Sequence, residues 1–146
     1  MSNKQYLNLI SKEHIIEDFQ TADRFAGKIE YRAISISPGK SEYQLTVDSS
    51  YHNPGGIVHG GALFSTMDSS QGAAITAFVL ESKEDIKFMA TASIEKMRFK
   101  KPIVEGLLRV YTEILERKKS IFRIRSEAFD EQNDLIAEMN TIWIVK

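Results

Sequence analysis

The sequence predicts a single-domain α+β fold in which one long helix packs on the concave face of a curled antiparallel sheet. An apolar, proline-free stretch of helical composition runs over residues 60–80. Segments in which apolar and polar residues alternate, as in half-buried strands, lie on both sides of it. The length of 146 residues is in the range of one domain.

The N-terminal region predicts a short amphipathic helix or an ordered arm. Leu7, Ile10, Ile15 and Phe19 recur near helical spacing, with charged residues between them. Those charges also interrupt any apolar run in the first twenty residues, so no secretory signal is expected. We therefore divide the chain into an arm, residues 1–27, and one domain, residues 28–146.

Period-two alternation predicts two strands before the long helix and four strands after it. The first two lie within residues 28–47 and are joined by a turn at residues 37–40, which contain Pro38 and Gly39. The later strands are predicted over residues 88–101, 108–114, 122–128 and 137–143. Within the first of these, the apolar phase shifts between Ile94 and Met97, which indicates either a bulge or burial on both faces.

The long helix is predicted to be enclosed by the sheet. It contains no Lys or Arg and few polar residues. Small residues occupy several of its sides: Gly61, Ala62, Gly72, Ala73 and Ala74. A helix of this composition is typical of a buried position, so the strands must wrap around it.

Composition excludes several classes of function. The 19 Lys and Arg residues balance 20 Asp and Glu residues, so no basic surface for a nucleic acid is expected. The absence of cysteine rules out disulfides and thiolate nucleophiles, and the three histidines lack a metal-binding spacing, so neither metal nor cofactor is expected. The longest mainly apolar window, residues 72–80, is too short to cross a bilayer. We expect no membrane association and a cytoplasmic location.

The start of the long helix is a candidate site for an anion or a carbonyl oxygen. Gly60 and Gly61 leave the first backbone N–H groups unshielded, and these donors have no partner inside the helix. The positive end of the helix dipole adds to their effect. Asn53 could supply a further amide N–H or hold a water nearby. The alternative is that the glycines only form a tight turn.

Asp68 is the candidate general base. It shares a helical face with Phe64, Ile75 and Val79, so the carboxylate lies on an apolar stripe. Loss of solvent there should raise its pKa toward a value suited to base catalysis. The alternative is a structural aspartate that accepts a hydrogen bond from Ser65 or from a hydroxyl on a neighbouring strand.

His59 stands directly before the two glycines and is assigned a positioning role. The alternative is an imidazole that is hydrogen-bonded to the backbone and fixes the turn. The serines of the helix, Ser65, Ser69 and Ser70, lack a G-x-S-x-G setting. A serine-hydrolase triad is therefore not supported.

The segment from Asn53 to Asp68 resembles the HGG motif of the PaaI-type hot-dog-fold acyl-CoA thioesterases. In that family an Asn, a His-Gly-Gly six residues later and an Asp nine residues after the His occur together. Asn53, His59, Gly60, Gly61 and Asp68 reproduce these spacings. The likeness extends over residues 28–145 in the order of the elements.

One departure concerns the strand that ends in R-F-K-K-P. Members of the family often place a Ser or Thr hydroxyl ten residues before that proline. Here the position holds Ala92, between Thr91 and Ser93. The resemblance therefore places residues 91–93 at the substrate but does not say which hydroxyl, if any, contacts Asp68.

The resemblance implies a hot-dog fold, assembled as a dimer or a dimer of dimers, that hydrolyses an acyl-CoA thioester. It implies that the Gly60 N–H polarises the carbonyl, that Asn53 and His59 position substrate or water, and that Asp68 acts as nucleophile or general base. Gly61 is expected to contact substrate. The acyl group is not predicted.

Coenzyme A carries phosphates, so cations are expected near the mouth of the site. Lys100 and Lys101 are our first candidates by sequence position. The wider set is Arg98, Lys100, Lys101, Arg117, Lys118 and Lys119. The run from Arg117 to Lys119 is also typical of a solvated hairpin turn.

Two other functions remain open. A non-catalytic acyl-CoA-binding protein could use the same fold. A hot-dog dehydratase or hydratase is a weaker alternative, because the segment from His52 to Gly55 faintly resembles the opening of that family's motif. The spacing from His52 to Asp68 is longer than that family has, and its second proline is missing.

Overall fold

A computed structural model describes residues 7–146; residues 1–6, part of the predicted arm, lie outside the described residues. Two short helices come first, α1 (Ile15–Ala22) and α2 (Ala26–Ile29). The strands β1 (Arg32–Ser37) and β2 (Lys40–Val47) and a 3₁₀ turn (Ser49–Tyr51) lead into the long helix α3 (Gly60–Ser82). The strands β3 (Met89–Phe99), β4 (Gly106–Lys118), β5 (Ile121–Phe129) and β6 (Leu135–Val145) follow.

The six strands form one antiparallel sheet in the order β1-β2-β4-β5-β6-β3. The prediction of two strands before the long helix and four after it is confirmed. β3 follows α3 in the chain but lies at the far edge of the sheet, where it pairs with β6. The sequence could not give this position, because strand alternation carries no information on which strands are neighbours.

Helix α3 fills the concave side of the sheet and packs against β1, β2, β4 and β5. Met67, Ala73, Ala74 and Ile75 have no exposed surface, so the predicted enclosure is confirmed. The helix extends two residues beyond the predicted end at residue 80 and stops where Lys83 takes a left-handed conformation, with φ of 55°.

The N-terminal segment packs into the same core as the sheet. Ile10, Phe19 and Ala26 are buried. The Phe19 ring lies against α3 at Gly72, where an added Cβ would be 3.7 Å from Phe19 Cζ. Helix α2 crosses the division that we drew at residue 28, and side chains from both sides of that division share one hydrophobic cluster.

β3 contains two irregularities, and they resolve the ambiguity in its apolar phase. The pairing register with β6 shifts between Thr91 and Ser93 and again between Ile94 and Lys96. Of the two interpretations, the bulge is correct, and burial on both faces is wrong because the side chain of Ile94 is 48% exposed.

A buried polar network fixes the rotation of α3 against the sheet. The Gln71 amide donates to Ser126 Oγ at 3.1 Å, and its oxygen accepts from Trp143 Nε1 at 2.9 Å and from the Thr141 hydroxyl. The network continues through the hydroxyls of Ser126, Thr112, Ser70 and Ser41. Because these groups are buried, a rotation of α3 would break the hydrogen bonds and leave polar atoms unsatisfied. The network therefore fixes which face of α3 packs on the sheet.

Candidate active site

The loop before α3 is a turn stabilised by Asn53. The backbone N–H of Asn53 donates to the carbonyl of Ile57 at 2.8 Å, and its side-chain oxygen accepts from the Gly55 N–H at 2.9 Å. Gly56 has φ of 78°, a conformation that favours glycine. The turn uses the oxygen of the Asn53 side chain, and its amide nitrogen makes no hydrogen bond within residues 7–146.

His59 caps the start of α3. Its Nδ1 accepts a hydrogen bond from the Gly61 N–H at 3.1 Å, and its own backbone N–H donates to the carbonyl of Tyr51 at 2.8 Å. The imidazole therefore makes the backbone hydrogen bond of the second interpretation, and its role in positioning substrate or water stays a prediction. Because Nδ1 is the acceptor, the neutral ring carries its proton on Nε2, and this second nitrogen is the donor that remains.

Gly60 lies beneath the ring of Phe99. A Cβ at residue 60 would be 3.0 Å from Phe99 Cζ and 3.2 Å from Cε1, so a larger residue would require the Phe99 ring to shift by a few tenths of an ångström. Within residues 7–146 the Gly60 N–H has no hydrogen-bond partner. A cavity of about 430 Å³ opens beside it, lined among others by Asn53, Leu63, Phe99 and Lys100. The helix start thus presents a free donor to an apolar cavity.

Asp68 is half-buried on the side of α3 that faces the start of β3. Its Oδ1 accepts a hydrogen bond from Thr91 Oγ1 at 2.6 Å. Ser65 is not its partner, because the Ser65 hydroxyl donates to the Gly61 carbonyl at 2.7 Å. Burial raises the pKa of Asp68, the hydrogen bond from Thr91 lowers it, and the charge of Asp23 raises it, with a net increase. The direction is the one that the sequence predicts.

The bulge in β3 decides which of residues 91–93 reaches Asp68. Thr91 pairs with Trp143 and Ser93 pairs with Ile142, so Ala92 is the extra residue. Thr91 is brought to Asp68, whereas Ala92 and Ser93 are exposed. The hydroxyl that contacts Asp68 is therefore that of Thr91, one position before Ala92.

The predicted cations separate into two groups. Lys100 and Lys101 line the cavity beside Gly60. Lys101 Nζ is held by Asp130 at 3.0 Å and by Asp134 at 2.6 Å. Arg117 binds Glu84, which follows the C-terminal end of α3, and its guanidinium stacks over two phenylalanine rings. The structure thus brings Lys100 and Lys101 to the helix start and leaves Arg117 at the opposite end of α3.

His52, the residue on which the dehydratase interpretation rests, is hydrogen-bonded through one ring nitrogen. Its Nε2 lies 2.8 Å from the carbonyl oxygen of Val104 and is hydrogen-bonded to it. Within the described residues, no three side chains of His, Asp or Glu come together as metal ligands. No helix in residues 7–146 is both long enough and apolar enough to cross a membrane.

Comparison with protein-family models shows where the chain belongs. Residues 55–137, more than half of the chain, match the model of the thioesterase superfamily. The chain belongs to the thioesterase superfamily. The matched residues contain the His59-Gly60-Gly61 segment, Asp68 and Thr91. Membership of this superfamily supports thioester hydrolysis as the general class of reaction.

Relatives and solved structures agree with this assignment. A protein of Saccharolobus solfataricus, SSO1253, whose name provisionally assigns it to the esterases, is 26% identical over 99% of this chain and 92% of its own length. The PaaI protein of E. coli superposes with a TM-score of 0.76 at 19% identity, covering 99% of both chains. A thioesterase family protein of Silicibacter pomeroyi gives 0.78 at 18% identity, covering 92% of this chain and 98% of its own. The predicted hot-dog fold is confirmed.

Sequence reasoning missed Asp23, whose carboxylate is hydrogen-bonded to Ser69, the residue that follows Asp68 in this thioesterase-superfamily chain. Asp23 Oδ2 accepts hydrogen bonds from Ser69 Oγ at 2.5 Å and from the Tyr31 hydroxyl at 2.9 Å. Asp23 comes from the segment assigned to the arm, and a single exposed-looking aspartate between two helices carries no signal in the sequence. Only the fold brings it to α3.

Proposed function

We propose that the chain hydrolyses acyl-CoA thioesters, with Asp68 as general base or nucleophile and the Gly60 N–H polarising the thioester carbonyl. The observation that carries this proposal is Asp68 itself: a half-buried carboxylate on an apolar helix face, oriented by Thr91, with a raised pKa. A carboxylate in this setting is a stronger base than one in water.

In the general-base route, Asp68 takes a proton from a water molecule whose oxygen attacks the thioester carbonyl carbon. The carbonyl oxygen then carries the negative charge, and an N–H at a helix start is suited to stabilise it. The C–S bond breaks, and the leaving sulfur takes the proton back from Asp68. In the nucleophilic route, the Asp68 carboxylate attacks the carbon directly, the C–S bond breaks and the thiolate leaves. Water then hydrolyses the resulting anhydride to the free acid and the Asp68 carboxylate, and the proton released from that water neutralises the thiolate.

Coenzyme A as the carrier is supported by a structural neighbour and by the cavity. A Streptococcus pneumoniae protein described as a hypothetical thioesterase was solved with coenzyme A and superposes with a TM-score of 0.75 at 17% identity, covering 90% of this chain and 96% of its own. In this chain, Lys100 is the cation of the cavity without an ion pair among the described residues. The amide of Asn53 and Nε2 of His59 are the donors that remain for positioning substrate or water.

A second copy of the chain completes the proposed site. The Gly60 N–H and the Asp68 carboxylate lie on one helix, eight residues apart. This corresponds to about 12 Å along the axis, which is too far for both to act on one carbonyl group. Strand β3 is an edge strand with an exposed Ile94, and an unpaired edge of this kind is suited to pair with another copy.

The replacement Asp68→Asn tests the proposal, because the amide retains the shape and the acceptor for Thr91 but is neither base nor nucleophile. We expect a loss of about 10²- to 10⁴-fold in kcat for thiol release from an acyl-CoA panel, with an unchanged circular dichroism spectrum. Asp18→Asn is the matched control in the N-terminal segment and should retain full activity. Near wild-type kcat in folded Asp68→Asn protein would contradict the proposal.

The same panel separates the two alternatives. A non-catalytic binding protein would bind acyl-CoA without releasing thiol. A dehydratase or hydratase would change the enoyl absorbance and leave the thioester intact. Thiol release without a change in enoyl absorbance is the result that we expect.

A further inference from the structure

Strand β3 presents one row of side chains to the side of the sheet on which α3 lies. Residues that pair directly across two antiparallel strands have their side chains on the same face of the sheet. The residues of this row pair with buried residues of β6, two of which, Thr141 and Trp143, are hydrogen-bonded to Gln71 of α3. The β3 row consists of Thr91, Ile94, Met97 and Phe99, which pair with Trp143, Thr141, Met139 and Ala137.

Two bulges keep the β3 row free of charged residues. Strict alternation after Thr91 would place Glu95 on the same face. Ala92 and Glu95 are instead the extra residues of the two bulges, so Ile94 takes that place. The Glu95 carboxylate binds Arg123, which lies on the opposite face because its two neighbours in β5 are either exposed or buried toward α3. The irregular strand thus turns apolar side chains toward α3 and this charge away from it.

The β3 row contacts α3 at its two ends. Phe99 lies over Gly60, and Thr91 is hydrogen-bonded to Asp68. The row is open to solvent, since the side chain of Ile94 is 48% exposed and that of Phe99 is 56% exposed. Its exposed apolar surface therefore connects the free N–H of Gly60 with the carboxylate of Asp68.

The part of α3 that lies between these two contacts is also apolar. Phe64 is half-buried and stands one turn after Gly60 and one turn before Asp68. Phe64 and Met97 pack against the same hydrophobic cluster. The hydroxyl of Thr91 is already used by Asp68. The middle of the row is therefore suited to an apolar ligand.

The β3 row and the cavity beside Gly60 extend in different directions from Phe99. The cavity is lined by residues 99–103, among them Lys100, whereas the row runs back from Phe99 to Thr91. The carbonyl carbon of a thioester bears the sulfur on one side and the acyl chain on another. With the carbonyl oxygen at the Gly60 N–H and coenzyme A directed toward Lys100, the β3 row is left for the acyl chain.

We propose that the β3 row binds the acyl chain of the substrate, with Ile94 as a residue that determines specificity. This inference rests on the proposed function and adds a class of substrate to it, namely acyl groups that are apolar along their length. An acyl group that ends in a carboxylate would lose water there without gaining a partner, which is unfavourable. The row spans the distance from Gly60 to Asp68, so it lies beside the carbonyl whichever copy supplies the carboxylate.

The length and the end group of the acyl chain test the proposal. Each CH₂ group that the row covers should tighten binding about fourfold. Binding is measured by isothermal titration calorimetry on Asp68→Asn protein, in which hydrolysis is expected to be slow. We expect the Kd to fall from acetyl-CoA through butyryl-CoA to hexanoyl-CoA. Adipoyl-CoA has the same number of acyl carbons as hexanoyl-CoA but a terminal carboxylate, and it should bind weaker on the order of tenfold or more.

The replacement Ile94→Ser removes apolar surface from the middle of the row. It should weaken the binding of hexanoyl-CoA on the order of tenfold, with a smaller loss for acetyl-CoA. In turnover with Asp68 intact, it should raise KM for hexanoyl-CoA more than it lowers kcat, because the acyl chain is bound equally in the ground state and the transition state. Ile94→Leu retains the apolar volume and should retain the dependence on chain length.

Ile121→Ser is the matched control. Ile121 is an exposed isoleucine of β5 that pairs with Ile144, on the face of the sheet opposite to the β3 row. The same substitution there should leave the binding of all these acyl-CoA compounds unchanged. If Ile94→Ser protein does not fold, Ile94→Ala makes a smaller change at the same place.

Binding decides the proposal independently of turnover. A Kd that does not depend on chain length, equal binding of adipoyl-CoA and hexanoyl-CoA, or an equal loss in Ile121→Ser protein would overturn it. A change of assembly mass in Ile94→Ser protein, measured by light scattering, with an unaltered dependence on chain length would also overturn it, since a second copy would then cover the row. Absence of thioester hydrolysis in the wild-type chain would refute the proposed function and leave the acyl site to be judged by binding alone.

Discussion

Thr91 and Asp68 join the edge strand of the sheet to the central helix through one hydrogen bond of 2.6 Å. Thr91 is at the start of β3, and Ala92 and Ser93, at the bulge that follows it, are exposed. Among residues 7–146, Thr91 is the one side-chain donor to this carboxylate. Its orientation and its pKa both depend on this contact.

Removal of the Thr91 hydroxyl should shift the pH dependence of the reaction. The hydrogen bond favours the charged form of Asp68, so in Thr91→Val protein the pKa of Asp68 should rise. The active form is the deprotonated one, so the acid limb of kcat/KM should shift to higher pH. Thr91→Ser retains a hydroxyl and should retain the wild-type limb. A limb that shifts to lower pH in Thr91→Val protein would contradict this assignment.

The Thr91 contact also shows what the sequence can and cannot predict. Spacing within α3 is regular, so it predicted that Asp68 lies on an apolar face and has a raised pKa. Spacing between elements is not regular, because the extra residue in β3 changes which of residues 91–93 points toward the helix. The phase shift between Ile94 and Met97 indicated an irregularity in β3. It did not locate the first bulge, which lies at Ala92.

Asp68 should lower the stability of the fold at neutral pH. Its pKa is raised in the folded state, so above that pKa the folded protein must hold a charge that the unfolded chain holds more easily. This reduction in the free energy of unfolding is absent below the ordinary pKa of 3.8 and grows as pH rises toward the folded pKa. Above the folded pKa it is constant at about 1.4 kcal/mol per unit of pKa difference.

Asp68→Asn should therefore unfold at a higher temperature than the wild type at pH 7. The gain should disappear at a pH below 3.8, where the carboxyl of Asp68 is protonated in both states. Thermal unfolding at several pH values measures it. Glu105→Gln, which removes one charge at an exposed residue, serves as the control for loss of net charge. Equal or lower stability of Asp68→Asn protein at pH 7 would show that the carboxylate is a structural group of the fold.

The candidate cations show a second limit of sequence reasoning. Lys100 and Lys101 are equivalent by sequence position, and only the return of the chain at residues 130–134 gives Lys101 two carboxylate partners. Arg117 belongs to the same basic run at a hairpin turn as Lys118 and Lys119. Its guanidinium nevertheless stacks on the rings of Phe78 and Phe122. Ion pairs between distant residues cannot be predicted from local spacing.

Charge reversal should affect these two lysines differently. Lys100→Glu should raise the KM for acyl-CoA on the order of fivefold, with little effect on a thioester that lacks the nucleotide, because it replaces an attraction for phosphate by a repulsion. Lys101→Glu should lower the unfolding temperature instead, because it places a third carboxylate beside Asp130 and Asp134. Steady-state kinetics on both substrates and thermal unfolding measure the two effects. Equal KM changes on both substrates would contradict the role of Lys100.

The last prediction concerns the assembly. Gly60 and Asp68 are eight residues apart on one continuous helix, which corresponds to about 12 Å along the axis. Reacting atoms must come within about 3 to 3.5 Å of each other, so one copy of α3 cannot supply both groups to one carbonyl. Two antiparallel copies related by a two-fold axis can, because each then places its Asp68 near the Gly60 of the other.

Complementation between two inactive proteins tests this shared site. Asp68→Asn retains the donor at Gly60, and Gly60→Pro lacks that N–H but retains Asp68. In a statistical mixture half of the dimers are mixed, and each mixed dimer has one intact site of two, so about a quarter of the wild-type activity should return. Subunit exchange is checked by native mass spectrometry, and mixing Asp68→Asn with itself is the control. Exchange without recovered activity, or full activity in a monomer, would refute the shared site, since each copy would then have to supply both groups from its own chain.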